Sequence, residues 1–129
     1  MNSPFAEKSY AFALKIVLTC DSISLANREY VLTRQLMRSG TAISALFQES
    51  RHAESRADFI HKLAIAQKEC NESVYWINLL FDSGKMTPEN HKELKAEATE
   101  LLKMLTAMIK TAKQNCQTKR HQETQIAVI

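Results

Sequence analysis

The chain has 129 residues and a net charge of +3, and only two glycines and two prolines punctuate it. This length suits one domain that buries its own core, and the scarcity of turn-forming residues excludes a β-rich fold and favours long helices. The three cysteines include no Cys-x-x-Cys pair, so they indicate neither a disulfide framework nor a thiolate zinc site. A reducing cytoplasm fits this cysteine usage. No apolar run approaches the length of a membrane span, so we expect a soluble protein without a membrane partner.

The first two predicted helices are identified by their apolar spacing. Helix one begins at Pro4 or two residues later and ends at about Ser22, with a buried stripe at Tyr10, Leu14 and Val17. Helix two has the seam of a bundle helix, made of Leu32, Leu36, Ser39, Ile43 and Leu46. Gly40 lies inside this helix, where glycine costs about 1 kcal/mol relative to alanine, so we expect a neighbouring helix to approach closely at this position.

Helix three opens at Ser55, a predicted cap, and Asp58 occupies the capping-box position. Its apolar stripe contains Phe59, Leu63, Ala66, Cys70, Val74, Ile77 and Phe81. At its far end Tyr75, Trp76 and Leu80 widen the apolar surface beyond one seam. This helix is therefore either central or the interface with a second subunit or protein partner.

Gly84 is predicted to end helix three, and the segment Met86-Thr87-Pro88 predicts the start of helix four, with Thr87 as the cap. The seam of helix four contains Leu94, Ala98, Leu101, Leu105, Met108 and Ala112. After about Asn115 the chain becomes polar and loses its period. We therefore expect a bundle domain over residues 1–115 and a polar, disordered tail over 116–129. Four long helices with short turns predict an all-α fold, an up-down-up-down antiparallel four-helix bundle.

A di-metal carboxylate site is one chemical alternative for such a bundle, because Glu-x-x-His places both ligands on one helical face. Glu49 and His52 have this spacing near the end of helix two, and Asp58 and His61 have it near the start of helix three. The carboxylates of helices one and four lie off the apolar stripes and are expected to be solvated. The missing inward carboxylates argue against a metal site, and we expect no cofactor.

Arginines concentrate early in the chain, five of the six lying between residues 28 and 56. Arg34 and Arg38 are one turn apart on helix two, where they can bind phosphates of RNA or DNA or carboxylates of another subunit. The alternative is an ordinary solvated face. No phosphate loop, catalytic triad context or nucleotide fingerprint is present, so the sequence indicates no enzyme.

Several segments, taken in order, resemble a known family. They are residues 35–43 (QLMRSGTAI), Glu49, residues 53–66 (AESRADFIHKLAIA), Lys68-Glu69 and Tyr75-Trp76. They are similar to the bacterial four-helix-bundle family named for proteins encoded in intervening sequences of 23S ribosomal RNA genes, over about residues 8–113. A related branch is the accessory variability protein of diversity-generating retroelements, a homopentameric barrel that binds nucleic acid and its reverse transcriptase.

The resemblance implies a homo-oligomeric ring, a pentamer, with a nucleic-acid or ribonucleoprotein role and no catalysis. Where the family pattern often has serine and asparagine, this chain has Ala42 and Leu46. Because this exchange removes polar groups from a stretch that continues a buried seam, it favours packing over chemistry there. Arg38 matches the pattern and is the residue carried over to an RNA-facing or subunit-facing role.

Overall fold

The computed structural model describes the backbone of residues 3–128 and the side chains of residues 3–115. It contains four helices, α1 (Pro4–Asn27), α2 (Val31–Ser50), α3 (Arg56–Asp82) and α4 (Pro88–Val128). Consecutive helices pack against each other, and α1 closes the bundle against α4 through a sparser contact. The predicted all-α, up-down-up-down bundle is confirmed, and α1 and α3 lie diagonally opposite.

Local capping explains most helix boundaries. The Ser55 hydroxyl accepts a hydrogen bond from the Asp58 amide at 3.1 Å, and the Asp58 carboxylate accepts one from the Glu54 amide at 3.2 Å. At the start of α4, the Thr87 hydroxyl accepts a hydrogen bond from the Asn90 amide at 3.1 Å. Gly84 has a φ of 79° and ends α3. These are the caps and the stop that the sequence predicts.

The end of α1 differs from the prediction. The helix continues to Asn27 and ends where Arg28 adopts a left-handed φ of 51°. Glu29 then caps α2, because its carboxylate accepts hydrogen bonds from the Leu32 amide at 3.0 Å and the Thr33 amide at 3.1 Å. Burial raises the pKa of Glu29, but the backbone donors of Leu32, Thr33 and Val31, together with the nearby charge of Lys85, outweigh it and leave the pKa below its ordinary value.

The helical backbone of α4 extends to Val128, beyond the predicted end of the bundle near Asn115. The backbone of residues 116–128 is therefore helical, although their polar composition and lack of apolar period predict disorder. The side chains of this segment lie outside the described residues, and the domain boundary at residue 115 stays a prediction.

The buried stripe of α1 lies on the opposite face from the predicted one. Phe5, Phe12 and Ile16 are at most 2% exposed, whereas Tyr10 and Leu14 point to solvent. Val17 is only partly buried. The prediction was wrong because α1 is apolar on both faces, so periodicity alone could not identify the inward one. The core joins this inner face of α1 to the seams of the other three helices.

Gly40 lets α1 and α2 approach closely. A Cβ atom at this position would lie 2.9 Å from Cγ1 and 3.0 Å from Cγ2 of Ile16. Both distances are below van der Waals contact, so a side chain here would force Ile16 to shift within the core. The predicted reason for a glycine inside the helix agrees with this geometry.

Against the sequence expectation, α1 is long and apolar enough to span a membrane by length and composition, with a mean hydropathy of 1.3 over its best window. In the structure, however, it is a helix of the bundle. It contributes Phe12 and Ile16 to the core, and its Lys15 pairs with carboxylates of α4.

Candidate functional site

Arg38 lies in an ion-pair cluster between α2 and α3. Its guanidinium pairs with Glu69 at 3.2 Å and with Glu72. The Trp76 indole donates a hydrogen bond to Glu72 at 3.3 Å. One cation therefore faces two carboxylates, and the cluster carries a net negative charge. A phosphate reaching Arg38 would have to displace these carboxylates, so the geometry favours an intramolecular link between the helices.

Arg34, one turn earlier, is exposed on the outer face of α2. Among the described side chains it has no ion-pair or hydrogen-bond partner. The two arginines that the sequence treats as a pair thus have different environments. Arg34 is accessible to an external anion, whereas Arg38 is less accessible because Glu69 and Glu72 already pair with it.

The four weak metal candidates do not form a site. Glu49, His52 and His61 are exposed, and Asp58 caps α3. Within the described side chains no group of three or more His, Cys, Asp or Glu residues could hold a metal ion. The geometry required by the di-metal hypothesis is therefore missing from this hairpin.

The predicted partner surface at the end of α3 divides between core and solvent. Leu80 is fully buried, so its assignment to an interface was wrong. The seam turns from Cys70 through Ser73 and Ile77 to Leu80, which places Leu80 inward. Tyr75 is 58% exposed and packs edge to face on the partly buried Trp76, with ring centroids 4.8 Å apart. A small aromatic patch remains.

A larger apolar surface lies on α1, where the sequence predicts core. Tyr10, Leu14, Leu18 and Leu25 are 52–82% exposed. Their spacing of four, four and seven residues places them on one helical face. We call these four residues the α1 outer face. Their regular spacing was the signal in the sequence, but it was assigned to the wrong environment.

Ion pairs join α1 to α4 along the sparser seam. Lys15 pairs with Glu93 and, at 3.0 Å, with Glu97, while Lys8 pairs with Glu100. The hydrogen bond that Lys15 donates to Glu93 is the largest effect that raises the pKa of Lys15, against the opposing effect of burial. The carboxylates expected to be only solvated thus connect the two helices that close the bundle.

The outer side of α4 is basic. Lys92, Lys95, Lys103, Lys110 and Lys113 are all exposed there, and we call them the α4 lysine face. None of the five pairs with a carboxylate among the described side chains. The first three line a shallow trough of about 560 Å³. The sequence offers no local signal for this face, because lysines and glutamates alternate along α4 and the pairing of the glutamates with Lys8 and Lys15 depends on the packing of α1.

The two cysteines with described side chains are unsuited to nucleophilic chemistry. Cys20 and Cys70 are fully buried. Burial raises the pKa of the Cys20 thiol to about 12 and that of Cys70 to about 11. Their thiolate fraction at neutral pH is therefore very small. Cys116 lies outside the described side chains.

Together these features define a small helical bundle whose distinctive chemistry lies on its outer faces. The chain belongs to the 23S rRNA-intervening sequence protein family, whose model matches residues 2–107. It is similar to a crystal structure of a protein with unknown function from the S23 ribosomal protein family of Bacteroides thetaiotaomicron, with 40% sequence identity and a TM-score of 0.81. That match covers 82% of this chain and 98% of the other. No curated protein matches the chain.

Proposed function

We propose that this protein is a non-enzymatic homo-oligomer, a pentameric ring, that associates with RNA or DNA in the cytoplasm. The observation that carries the assembly is the α1 outer face. Each of its four side chains keeps more than half of its surface exposed, although full burial of one such side chain is worth about 1.5–3 kcal/mol. A second copy of the chain covers this face in the proposed ring. The number five rests on the family resemblance.

A cyclic ring requires that one face of each copy meets a different face of the next copy. Glu7 and Asp21 are exposed on α1 beside the apolar positions, so the neighbouring surface should provide cations as well as apolar contact. Exposed Arg34 of the next copy is suited to this pairing. This pairing and phosphate binding are alternative roles for Arg34, because an arginine engaged by carboxylates is less available to a phosphate.

Nucleic-acid association follows from repetition of a modest charge. One chain has a net charge of +3, and five copies arranged around a ring would give a combined field that one copy lacks. Arg34 and Arg38 are the proposed contacts carried over from the sequence. Arg34 is the stronger of the two, because Arg38 is engaged by Glu69 and Glu72.

Light scattering on the purified chain tests the assembly. We expect a multiple of the 14.7 kDa chain mass, and we expect the double variant Leu14→Glu/Leu18→Glu to be a monomer with unchanged helical circular dichroism. The matched control, Ala96→Glu/Ala107→Glu, places two carboxylates on exposed positions of α4 and should leave the mass unchanged. A monomeric wild-type chain contradicts the ring.

Gel retardation of RNA and DNA at low salt tests the association. We expect binding that weakens as salt is added, because phosphate contacts release counterions. The variant Arg34→Gln should weaken it further. Absence of retardation by the wild-type oligomer contradicts the nucleic-acid role while leaving the assembly intact.

A protein-partner scaffold is the second candidate function, and the exposed Tyr75 beside Trp76 favours it. Aromatic side chains of this kind are enriched in protein interfaces. In this alternative the α3 patch, and not the α1 outer face, holds the assembly or a partner. Dissociation of the oligomer by Tyr75→Glu, with no effect of Leu14→Glu/Leu18→Glu, would favour it.

A further inference from the structure

The α4 lysine face is a row of positive charges along one side of the helix. Glu100 also lines the trough between its first three lysines, where it pairs with Lys8. Positions 92, 95, 99, 103, 106, 110 and 113 share one side of the helix, and the list contains five lysines, two threonines and no acidic residue. At a rise of 1.5 Å per residue, the lysines extend over about 32 Å. Such a run exceeds the Debye length at physiological salt, about 8 Å, so its lysines act as a row of local charges.

Most glutamates of α4 do not neutralise these lysines. The carboxylates of Glu93, Glu97 and Glu100 on the same helix pair with Lys8 and Lys15 across the α1 seam. Three of the four glutamates in the described part of α4 therefore lie in the seam, and the fourth, Glu89, is exposed in the first turn of the helix. Pairing across the seam leaves the lysines as the main charges on the outer side of α4 from Lys92 onward.

We propose that the α4 lysine face binds the phosphate backbone of double-stranded nucleic acid, which refines the nucleic-acid role proposed above and rests on it. Lysine is a flexible point charge suited to phosphates. The face contains no aromatic residue on which unpaired bases could stack, which favours a duplex over a single strand. It also contains no arginine, asparagine or glutamine, so binding is independent of base sequence.

Other macromolecules fit this face less well. A protein interface usually has aromatic or arginine anchors in its centre and is depleted in lysine, and the residues between the lysines of this face are small or polar, namely alanines, threonines and Glu100. A membrane-binding helix adds large apolar side chains that insert between lipids, and Ala96 and Ala107 at the edge of this face are too small for that role. Repeated charge without an apolar anchor matches a polyphosphate backbone.

Fluorescence anisotropy with the full chain and a labelled 20-base-pair RNA duplex tests the proposal. The variant Lys95→Gln/Lys103→Gln/Lys110→Gln removes three charges from the face, and the control Lys62→Gln/Lys68→Gln/Lys85→Gln removes three from or next to α3. We expect the first to weaken binding by roughly tenfold or more and to lower the slope of log affinity against log salt by about two to three. The control should weaken binding much less. Light scattering and circular dichroism verify that both variants keep the wild-type assembly and helicity.

The outcomes separate the two proposals. If the wild-type chain binds no RNA or DNA of any form at low salt, the nucleic-acid role itself is wrong. If it binds the duplex but both triple variants weaken binding equally, or Arg34→Gln alone abolishes it, the role stands and the assignment to α4 is wrong. Tighter binding to a single strand, to polyglutamate or to vesicles of anionic lipid than to the duplex also overturns the assignment.

Discussion

The outer faces of α1 and α4 occupy adjacent positions in the bundle and have opposite chemistry. The α1 outer face is mainly apolar, with Leu25 82% exposed, and the α4 lysine face is basic without apolar anchors. Between them Lys15 pairs with Glu93 and Glu97. A four-helix bundle requires only the inner faces, so the outer ones are free to differ in function. We assign assembly to the first and phosphate binding to the second.

The net charge of the chain does not describe the charge of either face. Lys8 and Lys15 of α1 form ion pairs with glutamates of α4. The rest of the outward surface of α1 is mainly apolar. The same pairs neutralise glutamates of α4, which leaves its outward surface basic. One set of contacts thus shapes both faces.

The largest expected effect distinguishes the two faces of α1. In the monomeric background of Leu14→Glu/Leu18→Glu, Phe12→Ala should lower the free energy of unfolding by about 3–5 kcal/mol, because it leaves a cavity in the core. Tyr10→Ala, on the exposed side, should change it by less than about 0.5 kcal/mol. Urea denaturation followed by circular dichroism measures both. Similar losses would mean that the inward and outward faces are wrongly assigned.

The contact that fixes the inward face of α1 is tested by Gly40→Ala. Overpacking against Ile16 costs about 1–3 kcal/mol, and the better helix propensity of alanine returns about 1 kcal/mol, so we expect a net loss of stability. In an Ile16→Ala background the clash is removed, and the same substitution should stabilise by up to about 1 kcal/mol. A double-mutant cycle measures this change of sign. Its absence would show that Ile16 does not explain the glycine.

A smaller effect concerns the seam between the two outer faces. Lys15→Gln should cost about 0.2–1 kcal/mol at neutral pH and low salt, and added salt should reduce the difference from wild type. The folded-state pKa of Lys15 is raised above 10.5. Its contribution to stability is therefore complete below pH 10.5 and is lost as the pH rises through the raised pKa. Denaturation of the wild-type chain and of Lys15→Gln at pH 8 and pH 11.5 measures this loss, which the variant should lack.

The smallest expected effect is an absence of reaction. Because burial raises the pKa values of Cys20 and Cys70 to about 12 and about 11, neither thiol should be alkylated by iodoacetamide in the native protein at pH 8. Both should react after unfolding in guanidinium chloride. Peptide mapping by mass spectrometry identifies the modified residues. Rapid native labelling of Cys20 would show that the inner side of α1 opens to solvent.

The sequence was most informative at element boundaries. Ser55 and Thr87 are used as caps and Gly84 ends α3, because capping depends on residues within one turn. The sequence was less reliable for burial, because the burial of a side chain depends on residues far away in the chain. Tyr10 and Leu14 have helical spacing equal to that of the true core residues, and only packing against α2 and α4 distinguishes the two faces.

The candidate functional surfaces also depend on contacts between helices that the sequence pattern does not reveal. Arg34 and Arg38 are adjacent on one helix in the sequence, but only the approach of α3 reveals that Glu69 and Glu72 engage Arg38. Leu80 and Tyr75 both extend an apolar run, and the direction of the α3 seam buries the first and exposes the second. Local pattern identifies residue types on a helix, whereas contacts between helices determine which side chains remain accessible.

The sequence by itself determined the helical class, the number of helices, three of the four helix starts to within about two residues, and the family motif, because each depends on short-range spacing and turn chemistry. The tertiary structure decided which face of α1 is core, which arginine is engaged, and where the lysines of α4 stand unpaired. These properties depend on pairings such as that of Lys15 with Glu97, which are 82 residues apart. No periodicity within one helix encodes a partner at that distance.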